Sequence, residues 1–168
     1  MVSGKSAEGV GPSLNNDHAN VAVLPPLPYM LIVIAGIMLH FLWAPISWFP
    51  EAWIGHASGW PLAVAAMLLA FWALWTMLRA GENPSVHRPT GAIVASGPYA
   101  FTRNPMYVSM TLLSAGIALI FNTLWPVIFL PLTLITIQYG VIYREERYLE
   151  RKFGDEYTQY RARVRRWL

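Results

Sequence analysis

The sequence contains no cysteine, and only 12% of its 168 residues are charged. Without cysteine the chain has no disulfide, no thiolate metal site and no cysteine nucleophile. Soluble proteins carry about 25% charged residues, so the low charge argues against an ordinary water-soluble domain. Apolar residues are abundant instead, since 55% of the residues are hydrophobic and the mean hydropathy of the chain is +0.40. This composition indicates a membrane protein.

Three further patterns are missing, and each absence removes a class of function. No apolar segment follows a basic one within the first ~20 residues, so we expect no cleaved signal peptide. No acidic residue lies within the apolar segments, so an ion or proton transporter lacks its usual groups. The glycine-rich turn that joins strand to helix in soluble nucleotide-binding folds is also absent. We expect neither a metal ion nor a nucleic acid as a partner.

Apolar segments of membrane-spanning length dominate the chain, and four of them lie at 29–49, 60–79, 105–121 and 124–143. A helix of about 20 residues crosses a hydrocarbon core of roughly 30 Å, because each residue adds ~1.5 Å. The third segment is short for a full crossing. The sequence therefore predicts an all-α fold, a polytopic membrane bundle of about four transmembrane helices with a cytosolic amphipathic helix at its C-terminus.

Prolines mark the expected start of the first helix and an expected kink in it. The stretch 25–28 carries three of them and separates a polar tail (1–28) from a single membrane domain (29–168). We expect these prolines to delay the first helix until residue 29. We also expect Pro45 to kink that helix and 51–59 to form a loop before the second helix.

The C-terminal region is charged and helical in pattern. Apolar residues recur there at spacings of four, four, three and four, namely Leu149, Phe153, Tyr157, Tyr160 and Val164. This periodicity predicts one apolar stripe on a helix, with a bend at Gly154. The remaining residues of this region supply eight of the twelve Lys and Arg side chains of the protein.

The distribution of basic residues predicts the orientation of the bundle. Lys and Arg occur in the N-terminal tail, around the connection between the second and third segments, and in the C-terminal region. The two other connections have none. Cytoplasmic connections are enriched in Lys and Arg, so we expect a multi-pass protein with both termini and the active site on the cytoplasmic side.

Two polar segments, 84–107 and 141–160, flank the hairpin formed by the third and fourth apolar segments. A membrane hairpin returns its two ends to the same face, so these segments are expected to meet and form one site. Glu145 and Glu146 begin the second segment and point about 100° apart on a helix, so we expect one to face a pocket and the other to face solvent. The alternative is a solvated start of a surface helix, with their charge offset by Arg147 and Arg151.

The two segments carry a pair of motifs in a defined order. The first reads Gly97-Pro98-Tyr99-x-x-x-Arg103-Asn104-Pro105-x-Tyr107, and the second reads Glu145-Glu146-x-x-Leu149-x-x-x-Phe153-Gly154-x-x-Tyr157-x-x-Tyr160. Together they resemble the isoprenylcysteine carboxyl methyltransferase family, and the related phospholipid methyltransferases share the Glu-Glu pair. The resemblance covers about residues 84–166. It implies an integral membrane enzyme that transfers a methyl group from S-adenosylmethionine to a lipid-like or lipophilic acceptor.

By the same resemblance, the cofactor would be held by residues of both segments: Gly91, Ala92, Ile93, Val94, Tyr99, Asn104, Pro105, Met106, Tyr107 and Glu145. Glu146 is a further candidate in the site, and Arg103 and Arg144 are candidates for binding an anionic group of cofactor or substrate. Family members usually have His at the position of Asn104. The carboxyl methyltransferases tend to have a substrate-associated Arg at the position of Val141.

The departure at Val141 leaves three classes of acceptor open. They are a carboxylate like that of a prenylated cysteine, an amine as in phospholipid N-methylation, and a small lipophilic thiol. A carboxylate or thiolate needs no base to attack the methyl group, whereas an amine must lose a proton. The alternative outside enzymology is a membrane module whose basic C-terminal helix docks on anionic lipid.

Overall fold

A computed structural model describes residues 23–83 and 90–168, and these residues are all-helical with no strand. The helices are α1 (Pro26–Leu42), α2 (Ala52–Arg79), α3 (Pro105–Ile120), α4 (Trp125–Ile137), α5 (Tyr143–Phe153) and α6 (Asp155–Arg163). A π-helical turn, Gln138–Ile142, joins α4 to α5, so that Trp125–Phe153 is continuous. The predicted fold class of an all-α protein is therefore confirmed for the described part of the chain.

Two of these helices are long and apolar enough to cross a membrane, namely α2 and the continuous Trp125–Phe153. The other two apolar helices, α1 and α3, have 17 and 16 residues. The predicted tail is described only from residue 23 onwards, and six residues of the predicted segment 84–107, positions 84–89, lie outside the description.

The first helix starts earlier and ends earlier than the sequence predicts. It begins at Pro26 because proline lacks only the N–H, which the first helical turn does not use. It ends at Leu42, so Pro45 does not kink it. The cause is steric, since a residue before proline, here Ala44, is pushed away from helical geometry.

The predicted loop 51–59 is also wrong, because α2 begins at Ala52 and runs for 28 residues. Small residues explain why this part is helical. A Cβ added to Gly59 would lie 2.8 Å from the carbonyl oxygen of Gly116, and one added to Gly116 would lie 2.9 Å from the backbone nitrogen of Ala63. The two backbones are thus in contact, and α2 extends because its glycines let it pack along α3.

The ends of the helices are arranged so that the polar segments meet. Helix α1 packs on α4 and α3, and α2 packs on α3. At one end, Asn122 accepts hydrogen bonds from the backbone N–H groups of Trp48 and Phe49, at 3.2 and 3.1 Å. The opposite end holds the start of α1, the end of α2, the start of α3 and helix α5.

The C-terminal region folds back onto this opposite end. Helices α5 and α6 meet at Gly154, whose φ of +53° confirms the predicted bend. After α6 the chain returns as an extended tail, which lies beside Thr102 through a single parallel bridge with Arg165. The backbone N–H of Arg103 donates to the carbonyl of Arg165 at 2.9 Å.

Candidate functional site

A cavity of about 400 Å³ lies where the two polar segments meet. Nine of the ten residues predicted to hold a cofactor line it, namely Ala92, Ile93, Val94, Tyr99, Asn104, Pro105, Met106, Tyr107 and Glu145. The tenth, Gly91, is exposed and does not line it. Arg103 and Glu146 also line the cavity, whereas Arg144 is exposed and does not. The structure therefore brings the two motifs together at one place.

Glu145 is a carboxyl group whose pKa is raised to about 7 by burial. The hydroxyl of Tyr107 donates to it, with Oη at 3.1 and 3.2 Å from the two carboxylate oxygens. Among the described residues it forms no ion pair. A buried negative charge without a partner is costly, so this side of the cavity is suited to a positively charged or hydroxyl-bearing ligand.

Glu146 is in the opposite situation, because two arginines hold it. Nη2 of Arg103 lies 3.0 Å from Oε1, and the Arg166 guanidinium donates to both oxygens at 2.9 and 2.7 Å. Glu146 is only 7% exposed. Our expectation that one carboxylate faces solvent is thus wrong, as is the surface-helix alternative with Arg147 and Arg151. Both carboxylates face inward because the loop before α3 and the C-terminal tail cover α5.

Arg103 was a candidate for binding an anionic group, and its geometry assigns it a different partner. Its side chain is 8% exposed and pairs with Glu146. Its Nε and Nη1 are buried and have no hydrogen-bond partner among the residues that the structure describes. Arg103 therefore pairs with a carboxylate of the protein while lining the cavity, and its role in binding an anionic group stays a prediction.

The loop before α3 is anchored to α6 by tyrosines. Tyr160 donates its hydroxyl to the carbonyl of Tyr99 at 2.8 Å. Burial raises the pKa of Tyr160 to about 12, and burial also raises the pKa of Tyr99 and of Tyr157. All three hydroxyls stay protonated at neutral pH, so they act in the site as neutral hydrogen-bonding groups.

The stretch 90–94 is held by two groups that the sequence analysis missed. Glu82, directly after α2, accepts a hydrogen bond from the N–H of Gly91 at 2.9 Å. Tyr148 lies close enough to Thr90 to accept its N–H at 3.3 Å. A Cβ on Gly91 would lie 2.9 Å from Oε1 of Glu82, which explains a glycine at this position. Glu82 is 8% exposed and itself lines the cavity.

Asn104 uses its side chain to bind the protein itself. Its Nδ2 donates to the carbonyl of Arg166 at 2.9 Å, and its backbone N–H donates to Oγ1 of Thr102 at 3.2 Å. The predicted cofactor residue is therefore in the wall of the cavity, with its amide turned to the C-terminal tail.

The remaining walls are apolar and come from three helices. Leu24, Pro25 and Pro26 at the start of α1, Met77 near the end of α2 and Met110 in α3 line this part of the cavity. The sequence signals for these contacts are weak, because methionine and leucine are common in every apolar segment. Three residues of the predicted apolar stripe, Leu149, Tyr157 and Tyr160, also line the cavity.

Among the described residues, no cluster of His, Cys, Asp or Glu has the composition of a metal site. In the described part of the chain, the cavity offers two carboxyl groups without an ion pair, Glu82 and Glu145, together with several neutral hydroxyl and backbone groups and an apolar wall.

Comparison with known proteins identifies the family. A family model described as phospholipid methyltransferase matches residues 54–156, which is more than half of the chain. An uncharacterized protein of Haemophilus influenzae is 70% identical over 27 residues, which are 16% of this chain and 43% of that protein. The matched part thus spans less than half the length of that relative. No solved structure matches the chain.

The matched region covers most of α2, all of α3 to α5, the first motif and the second motif as far as Gly154, and it ends before Tyr157, Tyr160 and the C-terminal tail. Its apolar helices and its paired motifs agree with the resemblance that the sequence indicates. The chain therefore belongs to the phospholipid methyltransferase family, a family of membrane methyltransferases.

Proposed function

We propose that the protein is an S-adenosylmethionine-dependent methyltransferase of the membrane that methylates a lipid-like acceptor. The observation that carries this proposal is Glu145, a carboxylate that lines a cavity of about 400 Å³ without an ion-pair partner among the described residues. S-adenosylmethionine is a cation at both its sulfonium and its ammonium group. A cavity of this size also falls within the usual range for small-molecule sites.

The residues present fit such a cofactor. Glu145 would hold its ammonium or its ribose hydroxyls, and Tyr107 orients that carboxylate from the other side. Apolar side chains from the first segment, Ala92, Ile93, Val94 and Met106, provide contact surface for an adenine or a thioether. Tyr99, Asn104 and Pro105 line the cavity beside them, Gly91 is held by Glu82, and the ion pair of Arg103 with Glu146 connects the first motif to α5.

When bound, the cofactor supplies a methyl group on a cationic sulfur. Held by Glu145 and the residues of the first motif, the cofactor would supply that methyl group to the acceptor and would itself become a neutral thioether. The protein contributes orientation and exclusion of water, which account for much of the acceleration in such displacements. The carboxylate of Glu145 is assigned as a ligand and not as a base.

A lipid-like acceptor fits the apolar side of the cavity. The start of α1 and the end of α2 each contribute a wall, with Leu24 and Met77 on the two helices. Helices α1 and α2 both pack on α3, and the cavity is lined from the start of one and the end of the other. We propose that the acceptor reaches the site from the bilayer between α1 and α2.

The position of Val141 bears on the class of acceptor. Val141 is fully buried and packs in the core cluster with Tyr29 and Ile137, so no arginine stands there to bind a substrate carboxylate. This favours an amine or thiol acceptor over a carboxylate like that of a prenylated cysteine. The carboxylate acceptor remains the alternative, because the paired motifs resemble that family as well.

We also propose four membrane spans, α1 to α4, with both termini and the cavity on the cytoplasmic side. The support is the position of the basic side chains, which lie at the cavity end. Helix α5 carries seven charged residues in eleven, so it is placed at the water boundary and not in hydrocarbon.

Calorimetric titration of the purified protein with S-adenosylhomocysteine tests the proposal. We expect the wild type to bind and Glu145→Gln to bind at least about tenfold more weakly, because the substitution removes the charge of a carboxylate that lines the cavity without an ion pair among the described residues. Glu150→Gln, an exposed carboxylate of the same helix, is the matched control and should bind like the wild type.

Absence of binding by the wild type would refute the proposed function. The result would then favour a membrane module, for which the exposed Arg163 and Arg165 are the relevant feature. Such a module predicts salt-sensitive binding to anionic vesicles that does not respond to substitution of Glu145.

A further inference from the structure

The C-terminal tail, residues 164–168, contacts both motifs at once. Its carbonyl groups accept three hydrogen bonds from the loop before α3: Arg103 N–H to Arg165 at 2.9 Å, Thr102 Oγ1 to Arg166 at 3.1 Å and Asn104 Nδ2 to Arg166 at 2.9 Å. Its side chains contact the other half of the site. Trp167 Nε1 donates to Gln138 Oε1 at 2.9 Å, next to α5.

Arg166 occupies the centre of this arrangement. Its guanidinium donates to both oxygens of Glu146 and lies over the ring of Tyr143, with Cζ 4.7 Å from the ring centroid. The hydrogen bond to Glu146 raises the pKa of Arg166 further. One residue thus binds α5 through its side chain and the first motif through its carbonyl.

Charge balance alone does not explain Arg166. Arg103 already supplies one positive charge to Glu146 at 3.0 Å, so a second arginine leaves the trio with a net charge of +1. What Arg166 adds is geometry, because a guanidinium with two parallel N–H groups fixes the plane of a carboxylate. The plane of the Glu146 carboxylate in turn fixes the rotation of α5 about its own axis. Glu145 is the preceding residue on that helix, so its direction depends on the same rotation.

We propose that Arg166 is a positioning residue of the methyltransferase site. It locks α5 against the first motif so that Glu145 stays directed into the cavity beside Tyr107. The inference rests on the proposed function, since it concerns the same ligand site. It adds a residue beyond 54–156, the region that the family model matches.

The test compares three variants in S-adenosylhomocysteine titrations, performed well below the unfolding temperature of each protein. We expect Arg166→Gln to raise the dissociation constant about tenfold and Arg166→Lys to recover part of that loss, because lysine restores charge but not the two-point contact. Arg163→Gln removes the same charge from the exposed end of α6 and should bind like the wild type.

A cycle with Glu146→Gln separates positioning from general stability. If Arg166 acts through Glu146, the double variant Arg166→Gln/Glu146→Gln should bind only slightly more weakly than the single variant with the larger loss of affinity. The reason is that both substitutions remove the same interaction. A melting temperature lowered in Arg166→Gln with an unchanged dissociation constant would overturn the inference and leave only a stabilising role. If Arg166→Gln does not fold, the Arg166→Lys variant carries the same comparison. Failure of the wild type to bind would instead refute the proposed function.

Discussion

The α2–α3 contact and the cavity end of the molecule are held together by different means. Along α2 and α3 the backbones touch at Gly59 and Gly116, and the contact contains no side-chain hydrogen bond or ion pair between the two helices among the described residues. At the cavity end the elements are joined by directional contacts, such as Arg166 to Glu146 and Tyr160 to Tyr99.

The difference teaches which kind of change each region tolerates. In a bilayer, apolar helices gain little from leaving lipid, so close packing of small residues drives their association. Volume is therefore the critical quantity along α2–α3. At the cavity end each contact depends on charge or a donor in a fixed place, so chemistry is critical there, and an isosteric substitution is damaging even though it creates no clash.

The largest effect is expected at the cavity end from Glu146→Gln, which preserves volume and removes the charge. Arg103 would keep a positive charge in a side chain that is only 8% exposed, whereas the more exposed Arg166 can turn to water. Breaking a buried pair costs about 3–5 kcal/mol, and we expect the lower end of that range. Chemical unfolding in detergent measures it, and a loss no larger than that of Glu150→Gln would contradict the comparison.

Along the helix contact the corresponding change is Gly59→Ala, which alters volume and leaves chemistry apolar. The new Cβ would lie 2.7 Å from the backbone nitrogen of Ile120, and backbone cannot move aside as a side chain can. Overpacking of this kind costs about 1–3 kcal/mol. The melting temperature should fall, while S-adenosylhomocysteine affinity of the folded protein should be unchanged.

Gly140→Ala is the matched control for that prediction. Within the described part of the chain, a Cβ there would meet only Cγ2 of Val23, at 4.0 Å, so the same added methyl group should leave the melting temperature close to that of the wild type. If both glycine variants melt alike, close backbone packing is not what holds α2 to α3.

The same contrast explains how much of the fold the sequence predicts. The apolar segments, the glycine and proline punctuation before α3 and the bend at Gly154 are local signals, and the structure has helices or breaks at each. The ends of α1 follow from local proline effects that hydropathy does not report, whereas the start of α2 was missed because it depends on tertiary contacts. The start of α2 at Ala52 follows from packing of Gly55 and Gly59 on α3, which no window of hydropathy reveals.

The candidate site shows a similar division. Its predicted residues lie together because the two motifs are adjacent at the ends of a hairpin, which is a property of topology. The roles of Arg103 and Asn104 were not predictable, since both bind partners over 40 residues away along the chain, Glu146 and Arg166. Glu82 was missed because a single acidic residue after an apolar segment looks like an ordinary helix end.

An intermediate effect is expected from Tyr160→Phe, which removes one directional contact of the cavity end without changing its shape. The carbonyl of Tyr99 would lose a buried hydrogen bond at 2.8 Å. Such a bond contributes about 0.5–1.5 kcal/mol. We expect a matching loss in unfolding free energy together with a few-fold weaker S-adenosylhomocysteine binding, because Tyr99 lines the cavity.

The smallest effect is expected where a directional contact lies in water. Arg161 and Glu150 join α6 to α5 at 3.2 Å, but their side chains are 43% and 44% exposed, so solvent screens the pair and Glu150→Gln should cost at most about 1 kcal/mol. The loss should shrink further in high salt, whereas that of Glu146→Gln should not. If both variants were equally sensitive to salt, burial would not protect the ion pairs of Glu146 from screening. The cavity end would then resemble an ordinary solvated surface.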